Sequence, residues 1–132
     1  MKKVLPFVMI WIIFFSSNLL ADEKKDILEN ACCSYILALK SDRCCLVKSA
    51  MINLIGFYYL YPKTDFDKIL IELDDLVQNA SSEENRFIAR LVRGYIRNEI
   101  NLDWLMKFEY EQIYHYFSIR SAKESVDLAR NF

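Results

Sequence analysis

From Leu28 onward, apolar residues recur at spacings of three and four, the pattern of amphipathic helices. Leu28, Ala31, Cys32, Tyr35, Ile36 and Leu39 make one such face and predict a helix over residues 22–39. The polar stretch Lys40-Ser41-Asp42-Arg43 predicts a turn, with Ser41 or Asp42 placed to cap a second helix. That helix, residues 43–61, is the most apolar after residue 21: Leu46, Val47, Ala50, Met51, Leu54, Ile55 and Tyr58 cover well over half its circumference. It reads as the central helix of a bundle. Lys48 and Asn53 interrupt it, so it does not read as a membrane span. Tyr61-Pro62 ends it, because a residue before proline is pushed out of the helical region.

Thr64 is placed to cap a third helix, with Asp67 in its first turn and Phe66, Ile69, Leu70, Leu73, Leu76 and Val77 as its stripe. Asn79-Ala80-Ser81 closes it. Ser81 with Glu84 forms a capping box for a fourth helix, whose buried face is Phe87, Ile88, Leu91, Val92 and Tyr95. The pattern breaks around residues 98–101. A fifth helix over residues 102–117 carries Leu105, Met106, Tyr110, Ile113, Tyr114 and Phe117. Ser121 with Glu124 predicts a separate last helix over residues 122–130; one helix from Leu102 to the end is the alternative. The fold class expected is all-α: a single compact bundle of five or six helices, with helical hairpins around the second helix.

The first twenty-one residues follow a different pattern. Lys2 and Lys3 head the uncharged apolar run Val4–Phe15, a polar Ser16-Ser17-Asn18 stretch leads to Ala21, and charge resumes at Asp22. This order is that of a secretory signal peptide cleaved after Ala21, leaving an exported helical domain over residues 22–132. An uncleaved anchor is the rival reading, but twelve apolar residues rise only about 18 Å as a helix against a hydrocarbon core of about 30 Å.

Composition supports the helical reading. Beyond the signal the only glycines and prolines are Gly56, Gly94 and Pro62, whereas sheets and irregular folds need such residues at their turns. Losing Lys2 and Lys3 takes the formal charge from −1 to −3, which gives no overall pull toward nucleic acid or anionic lipid.

Cysteines occur as two doublets, Cys32-Cys33 and Cys44-Cys45. In an oxidising exported compartment an even count predicts disulfides, here crossing from one doublet to the other. On one continuous helix the doublets would lie about 16–18 Å apart, so pairing requires the Lys40–Arg43 turn. A metal site is disfavoured because doublets ten residues apart match no familiar zinc spacing, and four reduced thiols are the remaining alternative.

Catalytic chemistry finds little footing. His115 is the only histidine and sits within Tyr114-His115-Tyr116-Phe117, where it reads as the polar edge of an aromatic cluster. There is no glycine-rich phosphate loop or histidine–glutamate metal motif. The acidic pairs Asp65/Asp67 and Asp74/Asp75 read as solvated helix surface. No catalytic residue, cofactor or metal ligand is assigned.

The unusual surface feature is a row of arginines on the fourth helix. Arg86, Arg90, Arg93 and Arg97 fall within about 60° of arc, opposite the apolar face. Such a row either reaches acidic groups on the third helix or forms a docking ridge for an acidic protein surface. A second interface candidate is aromatic: Phe57, Tyr58, Tyr59 and Tyr61 surround the end of the second helix, and Tyr110, Tyr114 and Tyr116 surround His115. Tyrosine gives large contact area at small entropic cost. Tyr59 and Tyr114 are the representative positions, and a homodimer is allowed by the same surfaces.

An early cysteine, the Tyr61–Val77 stretch with its apolar helix after a Tyr-Pro bend, and Tyr114-His115 followed by Lys123-Glu124 carry a resemblance. Over residues 33–132 the layout is similar to small periplasmic immunity proteins that bind and block cell-wall amidases delivered by type VI secretion. The cysteine that those proteins place before their late tyrosine-histidine segment is absent here, and no inhibitory loop is matched. The resemblance implies an exported, disulfide-bearing helical bundle that inhibits a toxin or wall enzyme by binding it. The expected function is therefore non-enzymatic binding of a protein partner in the periplasm or outside the cell. A structural adaptor in an envelope complex is the alternative.

Overall fold

The computed structural model describes residues 24–130, with side chains through Lys123; the expected signal peptide, residues 1–21, lies outside the described residues. Every regular element among them is helical. The chain divides into two compact units, one ending at Cys33 and the other beginning at Ser34. Within the first unit, residues 24–33 are helical, with Leu28, Ala31 and Cys32 on the expected stripe. None of the described helices is long and apolar enough to cross a membrane.

The first helix, α1, runs over residues 24–39 and is followed by α2 (Cys44–Leu60), α3 (Asp67–Asn79) and α4 (Glu83–Ile96). A short 3-10 helix (Asp103–Lys107) then leads into α5 (Tyr110–Arg130). In the second unit, α4 packs against α2, α3 and α5, and α2 also packs against α5. Among these four helices the hub is α4 rather than α2. Its middle is apolar on several sides: Ile88, Ala89 and Val92 are fully buried. The core beneath them is Met51, Leu54 and Ile55 of α2, Ile69 and Leu73 of α3, Leu105, and Phe117 of α5. Only Ile69 and Leu73 are buried on α3. At about 1.5–3 kcal/mol per buried side chain, that helix depends on few anchors.

The helix ends depart from expectation by small shifts with chemical causes. Ser82, not Ser81, caps α4, its Oγ accepting from the Asn85 N–H at 3.0 Å. At the start of α3 the Asp65 carboxylate, not Thr64, accepts the Asp67 N–H at 3.0 Å. Ser41 Oγ accepts from the Arg43 N–H at 3.1 Å, bracing the turn rather than capping α2. The expected separate last helix does not form, because α5 is continuous to Arg130. Ser121 is buried in that helix and donates to the Ser118 carbonyl at 3.3 Å, so its hydroxyl serves a preceding turn.

The break after α4 takes a defined form. The Asn98 N–H bonds the Tyr95 carbonyl at 3.0 Å and the Glu99 N–H bonds the Gly94 carbonyl at 2.8 Å, with Asn98 at φ 61°. This is a Schellman ending, for which Asn is the usual substitute for Gly. Gly94 lets the chain fold back: a Cβ there would lie 3.3 Å from Ile100 Cγ1.

Candidate functional site

The arginine row is largely satisfied within the bundle. Arg93 Nη1 and Arg97 Nη2 both reach the Asp74 carboxylate of α3 at 3.1 Å. Arg86 donates to the Ala80 carbonyl at 2.6 Å, where α3 ends. Arg90 is exposed and has no ion pair or hydrogen bond among the described residues. The row therefore ties α4 to α3 at three of its four positions and does not present four free guanidinium groups.

Tyr114 is likewise turned inward. Lys48, which interrupts the apolar pattern of α2, is only 5% exposed. Its ammonium pairs with Glu84 of α4, donates to Ser118 Oγ of α5, and lies 3.6 Å from the Tyr114 ring centroid. Ser118 in turn donates to the Tyr114 carbonyl at 3.1 Å. An isolated buried ammonium is costly, so one carboxylate, one hydroxyl and one ring face are what make Lys48 tolerable here. Nearby, Tyr110 donates to Ser49 Oγ at 2.7 Å. His115 is exposed, its ring edge-on to Tyr114.

The expected disulfides are absent: Cys32, Cys33, Cys44 and Cys45 all remain thiols. α1 stays helical to residue 39, so Cys33 precedes the turn by roughly 9 Å of helix rise, while Cys44 begins α2. Linked Cα atoms must come within about 4.4–6.8 Å, and none of the four cysteines is bonded. Cys44 Sγ lies instead 3.2 Å from Ser81 Oγ.

Two surfaces remain open to solvent, and they meet at the 3-10 helix. The first is a cleft of about 430 Å³ lined by Tyr58, Tyr59, Tyr95, Glu99 and Asp103 among others. Tyr58 stands edge-on to Tyr95 with centroids 4.8 Å apart. Tyr95 is 3% exposed, and its hydroxyl donates to Asp103 Oδ1. Burial first, then this hydrogen bond and the Asp103 charge, push the Tyr95 phenol well above its usual range. The Asp103 N–H donates to Asn101 Oδ1 at 2.8 Å, which fixes the backbone that carries the carboxylate.

The second surface is a set of exposed rings. Trp104 is 43% exposed and Phe108 48%; the Trp104 ring stands edge-on to Phe108 at 6.3 Å and to Tyr116 at 5.3 Å. Tyr116 rests on the buried Phe117. Of the tyrosines singled out by sequence, Tyr59 joins the cleft and Tyr114 does not. Tyr95, Asp103, Trp104 and Phe108 were not expected at a surface site. Placing residues 102–117 in one helix hid Asp103, Trp104 and Phe108, and assigning Tyr95 to the buried face of the fourth helix hid its part in the cleft, although the break at residues 98–101 beside Asp103-Trp104 was the available signal.

What these features define is an all-α bundle with an aromatic, carboxylate-bearing surface at one end of α4. Set against protein-family models, curated proteins and solved structures, the chain matches none of them.

Proposed function

We propose that this chain is a non-enzymatic exported protein that binds a protein partner, acting as an inhibitor of a toxin or cell-wall enzyme. The observation that carries the reading is the exposed group Trp104, Phe108 and Tyr116, three rings stacked edge to face and left in solvent. Tryptophan and tyrosine are enriched at binding hot spots, and folding alone gives no reason to hold such rings outside. Residues 99–111 carry Glu99, Asp103, Glu109 and Glu111 against Lys107 alone, so the complementary surface is apolar at its centre and basic at its rim. That differs from the acidic partner the arginine row first suggested. Export rests on the basic head and apolar run of residues 1–21, and inhibition rests on the resemblance to immunity proteins.

The test is a comparison of the wild-type protein with a Trp104→Ser, Phe108→Ser double variant, both used as bait in periplasmic extract. One protein should be retained by the wild type and lost by the variant, with circular dichroism unchanged. Identical sets of bound proteins would remove the aromatic group from the binding surface.

A further inference from the structure

Beside the exposed rings lies a cleft whose chemistry is one-sided. Glu99 and Asp103 both line it, and the lining contains no lysine or arginine. Three tyrosines line it too, Tyr58 and Tyr59 at the end of α2 and Tyr95 near the end of α4, together with Pro62, Ile100 and two asparagines. Two helix C-termini therefore converge on the same space. Each carries a partial negative charge of about half an electron, and the last turn of α2 holds no basic residue to offset it.

Several carboxylates elsewhere in the bundle are met by cations. Asp74 collects two arginines, Glu84 collects Lys48, and Glu72 collects Lys40 at 3.4 Å. Asp103 instead receives the Tyr95 hydroxyl on Oδ1, and no cation among the described residues pairs with it. Tyrosine faces attract a cation through their quadrupole, and arginine stacks on them while offering its planar donors to carboxylate.

We infer that the cleft bounded by Tyr58, Tyr59, Tyr95, Glu99 and Asp103 receives an arginine side chain of the protein partner. The guanidinium lies against the tyrosine walls and donates to the second Asp103 oxygen and to Glu99. Tyr95 is a positioning residue: it aims Asp103 and does not itself bear the charge. This inference rests on the protein-binding reading, and it assigns that partner a specific anchor.

A small probe separates the two. Titrating the full chain with N-acetyl-arginine amide, and following the tyrosine ring resonances by NMR, reads the cleft without any partner present. Saturable shifts at Tyr58, Tyr59 and Tyr95 are expected, with a Kd on the order of 1–10 mM. N-acetyl-citrulline amide, which has the same shape without the charge, should leave the rings unmoved. Asp103→Asn keeps an oxygen for the Tyr95 hydroxyl and should weaken the arginine probe at least about tenfold, and Glu99→Gln should weaken it less. An equal response to the uncharged probe, or wild-type binding by both variants, would overturn the inference. Phe108→Ser should still take up the probe. Retention of the probe by a chain whose aromatic variants keep every partner would leave the cleft standing and sink the binding surface; loss of the probe response alone would do the reverse.

Discussion

The two ends of α4 both carry charge, and they dispose of it differently. At the N-terminal end, Glu84 meets Lys48 inside the bundle, Ser82 caps the first turn, and Arg86 closes the end of α3. At the C-terminal end, Asp103 and Glu99 border an open cleft whose lining supplies no cation. The first arrangement joins α2, α4 and α5 through one ammonium. The second ties its backbone down through the Schellman ending, yet leaves its carboxylates on the cleft wall. Charge compensated from within marks a structural joint. Charge held in place by Tyr95 and Asn101 faces a cleft whose lining holds no lysine or arginine, and that contrast underlies the arginine anchor inferred above.

Breaking the N-terminal joint should have the largest effect. Glu84→Gln removes the charge opposite the buried Lys48 ammonium and leaves it a neutral amide oxygen, Ser118 and the Tyr114 ring. Severing a buried pair costs about 3–5 kcal/mol when nothing relieves the stranded charge. Glu84 itself is one-third exposed, so water can enter, and about 2 kcal/mol is expected. Lys48→Met should cost less than about 1 kcal/mol, because Glu84 can turn to solvent and the methionine fills the apolar path. Urea unfolding of both variants measures the asymmetry. Equal losses would mean that the Lys48–Glu84 pair does not act as a buried joint.

At the other end, the sharpest single lever is Asn98. Its left-handed backbone is tolerated because Asn pays little for it, and alanine should lose about 1 kcal/mol there. Asn98→Gly should lose nothing. Thermal melts of the two variants, compared with the Glu84→Gln series, show whether the open end is as firmly built as the closed one. An alanine variant as stable as wild type would mean that the turn, and the cleft wall it forms, is not held by this ending.

The helices were legible in the sequence because their stripes are local: Phe66, Ile69 and Leu73 need only each other's spacing to declare a buried face. The caps were legible to within a residue, since Ser81 and Ser82 are chemically equal until one of them meets Cys44. What sequence could not supply were pairings across distance. Lys48 looks like a defect in α2 until Glu84 arrives from another helix; the arginine row, by contrast, meets the third helix as one of its two sequence readings anticipated, at Asp74 and Ala80. The disulfide expectation failed although its turn formed: the first helix stays wound through Leu39 and all four cysteines remain thiols. The cleft assembles Tyr58, Tyr95 and Asp103 from three elements. Tyr58 and Tyr59, clustered at the end of the second helix, were the part of it the sequence announced beforehand.

The smallest expected effect concerns pH, and it tests how Asp103 is held. The Tyr95 phenol is raised above its usual value near 10, by burial first and by Asp103 second. Just above pH 10 the unfolded chain has released this proton while the folded chain keeps it, so the unfolded state binds fewer protons and stability falls as pH rises. Below about pH 9 both states hold the proton and the contribution is flat. Between pH 9 and 10.5 the loss from this one group should reach up to about 0.8 kcal/mol. The useful quantity is the difference between wild type and Tyr95→Phe in urea midpoints. The variant should lack this part of the slope, and the gap between the two should narrow as pH rises. Asp103→Asn should keep most of the slope, because burial is the larger cause. If Asp103→Asn abolished it entirely, the carboxylate and not burial would govern Tyr95, and the acidic wall of the cleft would be part of the folding machinery as much as Glu84 is.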